Sequence, residues 1–307
     1  MTPQSSKIRQ TDGASRRPQT MGVVEKMETA QTIEPNIATG QLSQSASKLR
    51  ILLGDTAWEF WRNIRMIEST FFVVVLPAAM YLMFGVGMNQ GAGEAGNGNV
   101  LAYVMTSMAV YGAVTATTAI AGSAAVERDY GWGRQLAMTG LSNGGYFAGK
   151  TLMSVGIAIM PIIVVFVLGA ATGAELDGTW RWFAVGFLCL LVALPFALYG
   201  MAVALIFRSE AAIGAASGVL VVFAFFGNLF VPLSGTLLAI AKFTPLYGVA
   251  TLARWPQMEG FVIPMDGVGP GYVPQYDSLG LSILNLVVWT VIFGAICMIA
   301  SRRRTQR

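Results

Sequence analysis

Histidine is absent from this 307-residue chain, and cysteine occurs only at Cys189 and Cys297. Without histidine, a Ser-His-Asp hydrolase site is excluded. Both cysteines lie within apolar stretches, where a thiol behaves as a small hydrophobe. They provide neither a disulfide framework nor the ligands of a metal site. The sequence therefore predicts a protein that is not an enzyme and holds no cofactor or metal of its own.

Charge is also scarce. Charged residues make up 12% of the chain and hydrophobic residues 54%, whereas soluble domains average about 25% charged residues. This composition excludes a water-soluble globule. The net charge of +4 does not point to nucleic acid, because the basic residues flank apolar stretches, where anionic lipid head groups explain them.

Six apolar stretches each approach the roughly 20 residues that cross a bilayer. They lie at 70–88, 100–126, 151–172, 182–207, 211–232 and 279–300. We therefore expect an all-α polytopic membrane protein with a six-span permease domain at 47–307. Residues 1–46 are polar and show no apolar periodicity, which predicts a disordered cytoplasmic tail.

Basic residues fall mainly on alternate connections, and such short basic segments stay in the cytoplasm. The predicted inner segments contain Lys48, Arg50, Arg62, Arg65, Arg128, Arg134, Lys150, Arg208, Arg302, Arg303, Arg304 and Arg307. The outer loops contain only Arg181, Lys242 and Arg254. Both termini are predicted to face the cytoplasm, in a multi-pass protein of the cell membrane.

An amphipathic helix is predicted just before the first span. Thr56 and Glu59 fit a capping box, and apolar residues then recur at helical spacing opposite Arg62 and Arg65. This pattern favours a helix that lies in the membrane interface. The alternative is that the first span begins early and tilts.

No acidic or basic residue lies well inside the six apolar cores as they are drawn here. Proton relays and voltage sensors place such groups at membrane depth, so the driving force for transport is expected from another subunit. The polar side chains at depth include Thr115, Thr118, Asn228 and Asn285. They are candidates for a transport path, although interhelical bonds of about 0.6 kcal/mol are an equally good explanation.

Small residues at helical spacing predict close helix contacts. Gly214 and Gly218 form a G-x-x-x-G pattern in the fifth stretch, and Gly112 precedes Ala116 in the second. Spacing alone does not distinguish contacts within one chain from contacts between two copies. Packing within the chain is the default expectation.

Residues 144–151 match the phosphate-binding pattern G-x-x-x-x-G-K-[ST] through Gly144, Gly149, Lys150 and Thr151. A functional loop of this kind follows a buried strand and opens a soluble helix. Here a poor strand precedes the match and a membrane span follows it. The match is interpreted as coincidence, with Lys150 marking the cytoplasmic end of the third span.

The loop at 127–150 begins with Glu127 and combines charged, glycine and aromatic residues. Its acidic start is followed by Gly131, Leu136, Thr139, Leu141, Ser142 and the Gly149-Lys150 pair. In this it resembles the first cytoplasmic loop of type-2 ATP-binding-cassette exporter permeases. The similarity extends over the hydropathy pattern of 50–307, including the Pro232 region and 244–247. The chain departs from the family at Gly140, where proline is typical, and at Trp132, where a small hydroxyl residue is usual.

The resemblance implies a permease that pairs with a second permease, either an identical copy or a related one. Separate ATPase subunits, which carry ATP and Mg, would dock under its cytoplasmic loops. By the same resemblance, Glu127, Arg128, Gly131 and Arg134 belong to the segment that couples to the ATPase. The alternative is a solvated loop in which Arg128 and Arg134 contact lipid phosphate.

The predicted outer loop at 233–278 holds a short apolar segment followed by a Gly- and Pro-rich stretch. A run this short does not cross a bilayer. Re-entrant half-helices, which the family has near its outer gate, and an ordinary surface loop are equally compatible with the sequence.

The predicted function is therefore export of an amphipathic drug, lipid or glycolipid, energised by a separate ATPase subunit. Apolar spans with few polar groups suit such a cargo better than an ion or a sugar, which needs more hydrogen-bonding partners. The alternatives are a non-transporting membrane scaffold or immunity protein, and an ion-coupled secondary carrier.

Overall fold

The computed structural model describes residues 71–87, 93–127, 143–263 and 274–305. These ranges are helical and contain no β-strand, and extended segments meet only at isolated bridges such as Gly98 with Leu176. The predicted tail and the predicted interfacial helix lie outside them.

The described residues form ten α-helices and two π-helical turns. In chain order they are α1 (Leu76–Tyr81, flanked by π-helical turns Phe71–Val75 and Leu82–Val86), α2 (Val100–Glu127), α3 (Asn143–Thr172), α4 (Thr179–Ala193), α5 (Pro195–Phe207), α6 (Glu210–Phe226), α7 (Gly235–Ala241), α8 (Pro245–Ala253), α9 (Trp255–Met258) and α10 (Leu279–Thr305).

Four helical segments are long and apolar enough to cross a membrane. They are Val100–Glu127, Lys150–Thr172, Thr179–Phe207, which joins α4 and α5, and Leu279–Ser301. The pair α7 and α8, bent by 97°, passes the same test when it is taken as one broken span. The helical, membrane-type fold expected from the sequence is thus present with four or five candidate spans.

Two of the six predicted spans are shorter than expected in the described part of the chain. The first is represented by Val73–Val86 and the fifth by Glu210–Phe226. The fifth stretch was expected to continue to Pro232, but the helix ends before Gly227, and Asn228 adopts a left-handed conformation with φ 57°. The third predicted span, 151–172, agrees with the apolar segment Lys150–Thr172, although helix α3 itself begins at Asn143, inside the predicted 127–150 loop.

Helix α2 lies at the centre of the bundle and packs against α3, α4, α5 and α6. Its most apolar segment is 94% buried inside the protein, against 11% for α10. A helix that is apolar all round is expected to be enclosed by other helices. Gly112 permits this enclosure, because a Cβ there would lie 2.6 Å from the Cβ of Pro161 and 3.1 Å from the Cγ of Pro77.

The span formed by α4 and α5 is interrupted before Pro195, which has no backbone N–H to donate. The amide of Ala197 bonds to the carbonyl of Leu194 at 3.0 Å in a tighter turn. The hydroxyl of Thr117 on α2 donates to the carbonyl of Ala193 at 3.1 Å. Helix α2 therefore donates a hydrogen bond to a carbonyl group at the break, which water would otherwise have to satisfy.

Candidate functional site

A buried arginine lies where α8, α2 and the end of α6 meet. Arg254 follows α8 directly and is only 4% exposed. Its Nε donates to the hydroxyl of Ser107 at 3.1 Å and its Nη1 to the hydroxyl of Tyr103 at 2.6 Å. Its Nη2 donates to the backbone carbonyls of Asn228 at 2.9 Å and Leu229 at 3.1 Å.

The position of Arg254 follows from the early end of α6. Asn228 and Leu229 lie beyond the last helical turn, so their carbonyl groups need donors from elsewhere in the protein. Non-helical backbone at membrane depth is tolerated only where protein or water satisfies it. Arg254 provides these donors with the planar fork of a guanidinium, which a single ammonium group does not reproduce.

The positive charge of Arg254 has no ion-pair partner among the described residues. Its guanidinium carbon lies 4.0 Å from the ring centre of Tyr103, so a cation–π contact replaces part of the lost hydration. Because arginine stays protonated in proteins, this is a fixed charge. It is not a group that takes up and releases protons during transport.

A small cleft opens beside Arg254, with a volume of about 20 Å³, enough for one water molecule. Its lining residues are Tyr103, Asn228, Thr251, Arg254, Met258, Gly260, Phe261, Val262 and Asp277. The side chain of Asp277 is 8% exposed and forms an ion pair with Lys242, with 3.0 Å between Oδ1 and Nζ. The hydroxyl of Tyr247 bonds to the other carboxylate oxygen of Asp277.

The bend between α7 and α8 is held by two side chains of α10. Asn285 Nδ2 donates to the carbonyls of Lys242 at 2.9 Å and Thr244 at 3.2 Å. One helical turn further on, Trp289 Nε1 donates to the carbonyl of Phe243 at 3.1 Å. The carbonyl groups exposed by the 97° bend are thus satisfied by the neighbouring helix.

The four candidates for the transport path do not meet in one place. Asn228 lines the cleft at Arg254, and its side-chain oxygen accepts from the amide of Leu233 at 2.9 Å. Thr118 donates to the carbonyl of Phe196 at 3.3 Å, near the break between α4 and α5. Asn285 lies at the α7–α8 bend. Thr115 is buried on α2 and does not line the cleft. Their path role remains a prediction.

The glycine positions separate into two groups. Gly112 has the close helix contact expected of it, as described above. Gly214 and Gly218 on α6 do not, because no described residue lies within 4 Å of a Cβ placed at either position. The default expectation that these two glycines pack within the chain is therefore not met among the described residues. Their small surfaces face outward from α6.

The start of the predicted coupling segment carries an ion pair. Glu127 ends α2, and its Oε2 lies 2.8 Å from the Nζ of Lys150 on α3. Arg128, Gly131 and Arg134 lie outside the described residues, so their coupling role stays a prediction.

The G-x-x-x-x-G-K-T match lies within helix α3, which runs through residues 144–151. A phosphate-binding loop instead directs free backbone amides at its ligand. The amine of Lys150 is directed at Glu127. The interpretation of the match as coincidence fits this geometry.

Sequence reasoning missed Arg254 as a buried residue and counted it among the outer-loop cations. The signal was its direct attachment to the apolar run 245–253, without an intervening polar residue. Hydropathy alone did not reveal it, because an arginine that ends a short apolar helix resembles one that reaches water.

Comparison with known proteins finds a relative that is named for membrane transport. A protein of Bacillus subtilis (strain 168) that is named as a transport permease, YvfS, is 24% identical to this chain over 208 residues. The match covers 64% of this chain and 82% of the relative. The chain is a distant relative of a transport permease. No protein-family model matches it. The similarity and the apolar helices together indicate a subunit for membrane transport.

Proposed function

We propose that this chain is the membrane subunit of a type-2 ATP-binding-cassette exporter. In this proposal, a separate ATPase subunit binds its cytoplasmic side and supplies the energy. The cargo is an amphipathic drug, lipid or glycolipid, and the location is the cytoplasmic membrane. The main support is the distant similarity to a transport permease, which extends over 208 residues.

The proposed topology has six spans with both termini in the cytoplasm. It requires two spans besides the four long segments. These are α1 together with its flanking π-helical turns, and α6. Helix α6 has 17 residues, about 25 Å at 1.5 Å per residue, which is near the lower limit for a spanning helix. In this topology α7 and α8 form a re-entrant pair whose bend is covered by α10.

The proposed exporter contains two permease subunits, either identical or related. The outward side of α6 supports this arrangement, since Gly214 and Gly218 offer close helix approach that no described residue of this chain uses. In a membrane, association depends on such close packing because lipid tails are as apolar as the side chains. The symmetry of the pair is part of the proposal.

Arg254 bears on the rival hypothesis of an ion-coupled carrier. Such a carrier needs a titratable group at membrane depth, and Arg254, expected in an outer loop, is instead a buried cation. Its donors bind hydroxyl and carbonyl groups, and arginine does not release its proton. The observation therefore favours a structural role for the charge of Arg254. An exporter driven by a separate ATPase subunit is preferred over an ion-coupled carrier.

Purification from native membranes, with mass spectrometry of the copurifying chains, tests the partnership. We expect a soluble ATPase chain in stoichiometric amount. The complex is then placed in vesicles, and movement of a fluorescent NBD-labelled phospholipid and of a cationic dye is followed with ATP and with ADP. We expect ATP-dependent movement of at least one probe. Equal movement with ATP and ADP would contradict the exporter, and an ion-gradient dependence would support the carrier.

A further inference from the structure

An ion pair joins the two ends of the segment that is predicted to meet the ATPase. Glu127 and Lys150 are 23 positions apart in sequence, yet their charged atoms are 2.8 Å apart. The side chain of Lys150 is only 7% exposed and that of Glu127 is 33% exposed. A cation so far removed from water depends strongly on its carboxylate, because an unpaired buried charge is costly.

Two further contacts fix α2 against α3 along their length. In the middle, Gly112 allows close contact with Pro161, since even a Cβ would lie only 2.6 Å from the Cβ of Pro161. At the end opposite to the ion pair, Asn99 Nδ2 donates to the carbonyl of Gly173 at 2.7 Å. The two helices are thus joined at both ends and at their crossing.

We propose that Glu127 and Lys150 are positioning residues that make α2 and α3 move as one body. The inference rests on the proposed function, in which an ATPase displaces the segment between these two residues. Without the ion pair, such a displacement is absorbed by separation of the two helix ends. With it, the displacement reaches α2, the central helix against which α3, α4, α5 and α6 pack.

The test uses two double variants of the full complex. Glu127→Gln with Lys150→Met removes both charges of this ion pair. Glu127→Lys with Lys150→Glu exchanges the charges and preserves both the pair and the net charge. The matched control is Arg208→Met with Glu210→Gln, which removes one charge of each sign from exposed positions at the turn between α5 and α6.

The first readout is the amount of probe moved per ATP hydrolysed in vesicles, measured with whichever of the NBD-labelled phospholipid and the cationic dye the wild-type complex transports. We expect the neutral double variant to accumulate and bind the ATPase normally, with a ratio lowered about tenfold, within the range of coupling free energies. The charge exchange and the control should keep the wild-type ratio. A neutral double variant with the wild-type ratio overturns the proposal. If that variant fails to accumulate, a charge-exchanged protein that accumulates but stays uncoupled overturns it.

The second readout uses the permease alone and so separates this inference from the proposed function. Amide hydrogen exchange is measured at 120–127 and 143–150. We expect faster exchange in the neutral double variant and wild-type exchange in the charge exchange and in the control. Unchanged exchange in the neutral double variant refutes the proposal that the ion pair holds α2 and α3 together, even where the ATPase partnership holds. If the wild-type protein shows no ATP-dependent transport, the proposed function is contradicted. The exchange data then decide by themselves whether the ion pair holds α2 and α3 together.

Discussion

Gly200→Ala tests the crossing of α5 over the central helix α2. A Cβ at position 200 would lie 2.0 Å from the backbone oxygen of Thr118, so the two helices must separate by more than 1 Å. The obstacle is backbone and cannot rotate away. Overpacking costs about 1–3 kcal/mol, and alanine recovers about 1 kcal/mol through its higher helix propensity. Because the overlap is severe, we expect a net loss of about 2 kcal/mol in the free energy of unfolding.

The matched control is Gly294→Ala on α10, where the nearest described atom, Cδ1 of Leu198, lies 3.9 Å from the new Cβ. With no overlap to offset it, the helix-propensity gain of up to about 1 kcal/mol remains. Unfolding by sodium dodecyl sulfate in mixed micelles, followed by circular dichroism, measures both variants in the same protein. Equal unfolding midpoints for Gly200→Ala and Gly294→Ala would refute the α2–α5 contact on which the calculation depends.

Three further predictions concern side chains that donate hydrogen bonds to backbone carbonyls at the helix breaks. Arg254→Lys should lower the free energy of unfolding by about 1–3 kcal/mol, because lysine keeps the buried charge but lacks the fork that reaches two carbonyls and two hydroxyls; an unfolding midpoint equal to wild type would contradict this role. Asn285→Leu should cost about 1–3 kcal/mol in the same assay, since two carbonyls at the α7–α8 bend lose their donor. Trp289→Phe removes one donor and keeps an aromatic ring, so a smaller loss of about 1 kcal/mol is expected; a larger loss than for Asn285→Leu would show that packing dominates at the bend.

The breaks in the helices are the clearest example of features that could not be predicted from the sequence. A hydropathy pattern treats 211–232 as one apolar stretch, although the chain leaves the helix after Phe226. The donor that makes this break tolerable is Arg254, located far away in sequence. A window of neighbouring residues contains no information about such a partner. The same limit applies to Asn285, whose side-chain amide donates hydrogen bonds to backbone carbonyls 41 and 43 positions away.

The polar residues proposed for a transport path illustrate a related limit. The sequence shows that they lie within apolar stretches, but it does not show their separate locations. Thr118 contacts the backbone beside a break in its neighbouring helices, and Asn228 contributes its own backbone carbonyl to Arg254. Each bond depends on how helices cross. Composition alone therefore left the choice between cargo contact and helix contact open.

The sequence by itself determined that this is a helical membrane protein, because long apolar runs with little charge have no stable alternative in water. Its motifs also pointed to a transport permease, a role that the distant relative supports. Only the tertiary structure decided that Arg254 is buried, that Glu127 pairs with Lys150, and that no described residue covers Gly214 and Gly218 on α6. The physical reason is that hydrophobicity acts on each segment separately, whereas the pairing of buried charges and carbonyls depends on helices that meet only after folding.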